Sequence, residues 1–298
     1  MKVLLLTAGN GYHLTGSYNL ERLKKSLLLK GVGTQFFGIG KFSSLDDIVE
    51  LPDIAYIAFA MPPEKLEEVQ RFRNRGVFFV NSPEVVALAS DKLAVYNKLN
   101  EAGVAHPKTI MLDDTNYEAV DLEWPCVIKP NKQSAATQFP CAGLDVMLCD
   151  NPEQLKNNFN ILSEIYTETD TDTKIIAQEY TKSGDGDMMI SCWVFGDKVS
   201  SQITIADSGK NVSQFKTHRE VGHQRIAIKT SDELLKFLKK ISIALNVEIF
   251  RVEVFYSAEG YKVCKLKVPG DRLTHDAIAN FDSSQIIADY IVRRYTSR

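Results

Sequence analysis

The stretch Trp124-Pro125-Cys126-Val127-Ile128-Lys129-Pro130 sets a single lysine at the end of an apolar run that a proline closes. Short apolar runs of this kind read as buried strands. A lysine at the end of such a strand packs its stem and carries its ammonium into a cleft, which suits a phosphate. A surface lysine closing an ordinary strand is the plainer alternative. Lys92 raises the same question. It follows Asp91 at the start of a predicted helix, where a cation opposes the macrodipole at a cost of roughly a few tenths of a kcal/mol unless an anion lies near.

Composition narrows the setting for this chemistry. The chain has 298 residues, 44% of them hydrophobic, enough for a sizeable core and two or three domains. A formal net charge of −3 gives nothing that suggests a generic nucleic-acid binder. Cys126, Cys141, Cys149, Cys192 and Cys264 are scattered with no CxxC pair, which reads as free thiols of a reducing compartment and not as disulfides or a zinc site. The apolar run after Met1-Lys2 ends at Gly9-Asn10-Gly11, too early for a signal peptide or a membrane span. The expectation is a soluble, cytoplasmic protein.

The elements that must position these residues alternate at first between strand and helix. Lys2–Leu6 reads as a strand buried on both faces of a parallel sheet. A helix follows from Asn19, then strands at Val32–Ile39, Ile54–Ala60 and Val77–Asn81, with a helix from Pro62 between the last two; this predicts a small open α/β layer. Gly9-Asn10-Gly11 matches a dinucleotide loop only in part. Ser82 and Pro83 open one helix, and Asp91 caps the next, which Gly103 ends. Strands are then predicted at His106–Ile110, Leu144–Leu148 and Lys174–Tyr180, the last two separated by a helix that Asn151-Pro152 starts. A hairpin pairs Met188–Phe195 with Val199–Ile205 through Gly196-Asp197-Lys198. Ser231–Leu245 is an amphipathic helix, Ile249–Tyr256 and Tyr261–Lys267 form an antiparallel pair, and Gln285–Tyr295 is a final helix.

In this order, Asp91-Lys92 opening a helix, Gly103-Val104 with Pro107, Val127-Ile128-Lys129-Pro130, Gln178-Glu179-Tyr180 and Gly186-Asp187 together resemble the ATP-grasp superfamily, in particular its RimK-like and carbamoyl-phosphate-synthase-like carboxylate–amine ligases. The resemblance covers almost the whole chain. It implies a pre-ATP-grasp α/β domain at 1–82, followed by a two-lobed α+β ATP-grasp domain. The first lobe, with a small lid subdomain, would span 83–180 and the C-terminal lobe 181–298. It further implies ATP clamped between two antiparallel sheets. Lys92 and Lys129 would contact its phosphates, with Ser134 in the loop after Pro130. The backbone of Gln178, Glu179 and Tyr180 would read the adenine edge, and Asp187 would reach the ribose hydroxyls. Implied partners are a small-molecule carboxylate and an amine, or a peptide, and the family also supports homodimers.

The chain departs from the family at the metal site. An acid on one late strand and an acid-then-amide pair on the next normally hold two Mg²⁺ ions, whose preference is for hard oxygen ligands. Glu253 matches the first position. Lys265 and Lys267 stand where the other two ligands belong, and a protonated lysine cannot ligate a metal; Asp271, just beyond, is a less fitting substitute. Gln133-Ser134-Ala135-Ala136-Thr137 lacks the usual glycines, and Met189 stands where an arginine is expected. The polar run with Lys216, His218, Arg219, His223 and Arg225 falls where the family gathers groups around the transferred phosphoryl, although a solvated loop reads equally well; His218 and His223 lack a third ligand for zinc. Two expectations follow. One is an ATP-dependent carboxylate–amine (or thiol) ligase in which Arg219, Lys265 and Lys267 meet developing phosphoryl charge. The other is a catalytically degenerate relative that binds a nucleotide or other anion and works through a partner protein.

Overall fold

The computed structural model describes residues 1–8, 14–39, 48, 50–58, 65–113, 121–132, 146–169, 174–181, 189–205, 224–257, 259–268 and 273–297. These form three sheets. The first contains β1 (Lys2–Ala8), β2 (Gly33–Ile39), β3 (Ile54–Ile57) and β4 (Phe78–Val80), all parallel in the order β2-β1-β3-β4. Val3, Leu4, Leu5 and Leu6 are wholly buried, as a strand covered on both faces requires. Helices α1 (Leu14–Leu28) and α2 (Leu66–Asn74) belong to this layer.

Two short helices lead out of it. Ser82 caps α3 (Pro83–Leu88) by accepting from the Val85 N–H, and Asp91 caps α4 (Lys92–Glu101) by accepting from the Ala94 N–H. Gly103 (φ +64°) then turns the chain where a side chain would be strained. The second sheet is antiparallel in the order β5-β8-β6-β7, with β5 (Thr109–Leu112), β6 (Cys126–Pro130), β7 (Met147–Cys149) and β8 (Ile175–Glu179); α5 (Pro152–Thr169) packs on it.

The third sheet runs β11-β10-β9-β12-β13, with β9 (Met189–Phe195), β10 (Lys198–Ile205), β11 (Gln224–Ile228), β12 (Ile249–Ser257) and β13 (Gly260–Lys267), all antiparallel. Alternation along its strands separates two faces. Ile190, Cys192, Val194, Phe250, Val252, Val254 and Val263 join a core with α4 and with Leu234, Leu238, Ile241 and Leu245 of α6 (Asp232–Leu245). The opposite face is mixed. Trp193 and Phe195 pack against Ile287 and Ile291 of α8 (Ser283–Thr296), while Ser191, Ser200, Gln202 and Thr204 form a buried polar patch beside α7 (Leu273–Ala279). No helix among the described residues is long and apolar enough to cross a membrane.

Most element types agree with the sequence expectations, and the differences are local; the strand expected at His106–Ile110, for one, lies at Thr109–Leu112. α1 extends back to Leu14, and the strand expected at Leu144–Leu148 lies at Met147–Cys149. β11 and α7 carry no readable pattern. Ile226 of β11, on an edge strand, is 45% exposed although its partner Ile203 packs on the core, and α7 has only seven residues and buries the polar pair His275 and Asp276.

Candidate functional site

Lys129 is the only residue of β6 that is not buried. Its Nζ donates to Gln178 Oε1 at 2.7 Å, and Gln178 Nε2 donates to Thr109 Oγ1 at 2.8 Å. Gln178 has no exposed surface, so a buried amide held at both ends aims the lysine. The same ammonium lies 5.8 Å from the centre of the Tyr96 ring, within cation–π range.

Tyr96 connects this lysine to the third sheet. Its hydroxyl donates to the Cys264 carbonyl at 2.6 Å, and its ring stacks on His106 at 5.3 Å. Burial pushes the phenol pKa well above its ordinary range. Cys264 sits in a β-bulge: β12 and β13 pair Glu253 with Lys265 and Val254 with Val263, leaving Cys264 as the extra residue. Burial pushes the Cys264 thiol up to about 12, with the Lys129 charge pulling it down, Glu253 pushing it up and Lys265 pulling it down. The charges of Lys129, from one sheet, and of Glu253 and Lys265, from the other, therefore all act on one buried thiol.

Lys92 opens α4, and its position against the macrodipole has a structural answer. Its Nζ donates to the carbonyls of Pro130 (2.6 Å) and Asn131 (3.2 Å), at the end of β6. Asn131 closes the junction: its Oδ1 accepts from the Leu93 N–H at 2.8 Å and its Nδ2 donates to Asp91 Oδ1 at 3.0 Å. Lys92 and Lys129 thus sit at the same strand end, the first with its ammonium on backbone carbonyls.

The hinge segment is bonded into the sheet. The Glu179 N–H donates to the Lys108 carbonyl (2.9 Å) and the Tyr180 N–H to the Pro125 carbonyl (3.2 Å), while Glu179 Oε2 accepts from the Lys108 N–H at 3.1 Å. An adenine edge would have to be read by groups other than these two N–H groups. Ser134, Asp187 and Arg219 lie outside the described residues, as do Lys216, His218, His223 and Asp271.

On β12, Arg251 and Glu253 are two residues apart on one face. Arg251 NH2 donates to Glu253 Oε1 at 2.7 Å, and its Nε donates to Ser191 Oγ at 3.1 Å. Across the strand, Lys265 opposes Glu253 and Lys267 opposes Arg251. Magnesium needs several oxygen ligands. Here one carboxylate already accepts from a guanidinium and faces a lysine, and no cluster of three acidic, His or Cys side chains able to hold a metal occurs among the described residues. Among the described residues the donor set does not fit a Mg²⁺ pair. At ~4 Å and an effective dielectric of ~20, each unit charge pair is worth about 4 kcal/mol, so the lysines weigh heavily against a cation.

The sequence reading missed the lining that α7 provides. Gln202 Nε2 donates to the His275 carbonyl at 2.6 Å, and His275 Nε2 shares a 2.8 Å hydrogen bond with Ser200 Oγ. Burial, with Arg251 and Arg225 nearby, pushes the His275 pKa down to about 4, so the imidazole is neutral at physiological pH. No signal short of the tertiary contacts marks this histidine.

Residues 89–290 match the family model of the RimK-like ATP-grasp domain. A probable alpha-L-glutamate ligase of Histophilus somni (strain 2336) is 24% identical over 208 residues, which cover 68% of this chain and 63% of that protein. The match therefore spans less than two thirds of that relative. Among solved structures, a D-alanine–D-alanine ligase from Bacillus anthracis superposes with a TM-score of 0.71 at 15% identity, covering 100% of this chain and 99% of that one. A RimK domain ATP-grasp protein from Sphaerobacter thermophilus DSM 20745 gives 0.66 at 15% identity, covering 98% of this chain and 100% of that one. At such identities the likeness is one of fold. Together with the domain match over residues 89–290, it makes this chain a member of the RimK-like ATP-grasp family.

Proposed function

We propose that ATP binds between the β5-β8-β6-β7 sheet and the β12–β13 end of the third sheet, and that the chain is an ATP-dependent carboxylate–amine ligase. The observation that carries this reading is the way Tyr96 bridges the two sheets: its ring lies 5.8 Å from the Lys129 ammonium, and its hydroxyl donates to the carbonyl of Cys264, the residue before Lys265. In the reaction a carboxylate oxygen would attack the terminal phosphorus as ADP leaves. An amine would then attack the acyl carbon of the resulting acyl phosphate and release phosphate. Lys129 and Arg219, with Lys265 or Lys267, would meet the charge that develops on the phosphoryl oxygens. Lys92 would add its charge at the end of β6, and Ser134 and Asp187 would hold the nucleotide from the segments on either side. Glu253, the one acid matching a metal position, would orient Arg251.

A second reading has its own observation. The Arg251–Glu253 pair, with lysines opposite both members, suits an ATP-grasp protein that binds a nucleotide or other anion and acts through a partner protein.

Calorimetry on the Lys129→Met protein tests the nucleotide site. Affinity for ATP should fall at least ten-fold, about 1.4 kcal/mol; unchanged affinity would remove Lys129 from the site. Release of ADP and phosphate, assayed with pairs of amino acids and short peptides, separates the two readings. These pairs come first because the relatives are named as glutamate and D-alanine ligases. Turnover with any pair supports the ligase, and binding without turnover across the set supports the partner-dependent protein.

A further inference from the structure

The mixed face of the third sheet is unusually basic towards β11, β12 and β13. Arg251, Glu253, Lys265 and Lys267 occupy two adjacent cross-strand pairs, Arg251 with Lys267 and Glu253 with Lys265. Arg225 of β11 lies on the same face, opposite Thr204, and its charge acts with that of Arg251 on His275. Among the described residues, four cations share this surface with one carboxylate, and that carboxylate accepts from Arg251. Lys129 approaches from the facing sheet, its direction set by Gln178 and Tyr96. Lys265 is exposed and Lys267 half-buried.

Such a surface distinguishes between two forms of the same nucleotide. Uncomplexed ATP presents its full phosphate charge and all its phosphate oxygens to ammonium and guanidinium donors. With Mg²⁺ chelated, two of those negative charges are cancelled and some oxygens are occupied. The metal would also stand against Lys265 and Lys267, and among the described residues of this face it would find one carboxylate, Glu253, which already accepts from Arg251.

We infer that this site selects the metal-free nucleotide, so that Mg²⁺ competes with the protein for the phosphates and releases the nucleotide where a metal-dependent site would recruit it. The inference rests on the nucleotide reading proposed above and adds the ionic form of the ligand and the direction of its response to metal. Lys265 and Lys267, with Arg251, take the position of the cations, and Glu253 serves to hold Arg251.

The test is calorimetry of ATP binding to the full chain, in EDTA and in excess Mg²⁺, at matched ionic strength because screening alone would shift a charge-driven affinity. The expected result is a Kd at least ten-fold higher in Mg²⁺. Equal affinity in the two media, or tighter binding in Mg²⁺, would overturn the inference and leave the nucleotide site standing. Absence of binding in both would overturn the nucleotide site and this inference together. A second measurement uses Lys265→Glu, which sets a carboxylate directly opposite Glu253 at an exposed position. In this variant Mg²⁺ should strengthen ATP binding, reversing the sign of the effect. Lys265→Gln should fall between the two, with the Mg²⁺ penalty reduced. If both variants keep the parent's Mg²⁺ response, Lys265 does not face the phosphates and the inference fails.

Discussion

An Asn81→Ala protein should unfold with about 4 kcal/mol less free energy than the parent. Asn81 follows β4 and is 3% exposed. Its Nδ2 donates to the Ile249 carbonyl at 2.6 Å, and its Oδ1 accepts from the Glu248 and Ile249 N–H groups, both at 2.8 Å. These three bonds join the first sheet to the start of β12, the strand that bears Arg251 and Glu253. Alanine would leave one carbonyl and two N–H groups without their partner, each at a cost of roughly 1–3 kcal/mol. The check is a urea unfolding curve: the midpoint should fall with the slope unchanged. A loss below about 1 kcal/mol would mean that water replaces the amide, and that the junction does not depend on it.

Acidification should weaken the fold through His275. Its folded pKa of about 4 lies below the ordinary 6.5. Above pH 6.5 the ring is neutral in both folded and unfolded chains, and its contribution to stability is fully present. Between 6.5 and 4 the unfolded chain takes up a proton that the folded one refuses, so stability falls as the pH falls. By pH 4 the difference approaches roughly 3 kcal/mol, at 1.36 kcal/mol for each pKa unit. The cause is physical: the imidazole is 5% exposed and lies near Arg251 and Arg225, so a charge there is neither hydrated nor paired. α7 is held by the Gln202 bond to the His275 carbonyl and by Arg22, whose NH1 donates to Asp276 Oδ2 at 2.9 Å. The helix should therefore loosen when the ring is forced to charge. Unfolding of His275→Gln and the parent, compared between pH 7 and pH 4, isolates this contribution from the carboxylates that titrate over the lower part of the range. The variant should lose less stability than the parent over that range; parallel losses would show that His275 does not carry the effect.

Several elements were legible because their signal is local. The apolar run at the amino terminus, the caps at Ser82 and Asp91, the amphipathic stripe of α6 and the hairpin at Gly196-Asp197 each follow from residues close in sequence, whose periodicity and hydrogen-bonding groups act within a turn or two. Lys129 also stood out, since a lone lysine at the end of a buried strand is visible without knowing what it faces. β11 and α7 did not, because their few residues carry no period and the partners that stabilise them are distant in sequence.

Sequence order alone was enough to determine the membership in the ATP-grasp superfamily and to single out Lys265 and Lys267 just before Pro269-Gly270. What those lysines face was decided only by the tertiary structure. Strand pairing placed Lys265 opposite Glu253 and Lys267 opposite Arg251 and turned Glu253 towards a guanidinium, and the packing of α4 brought Tyr96 to the junction between Lys129 and β13. Charge and hydrogen-bonding energies depend on distances between residues far apart in the chain, and those distances exist only once the sheets are assembled.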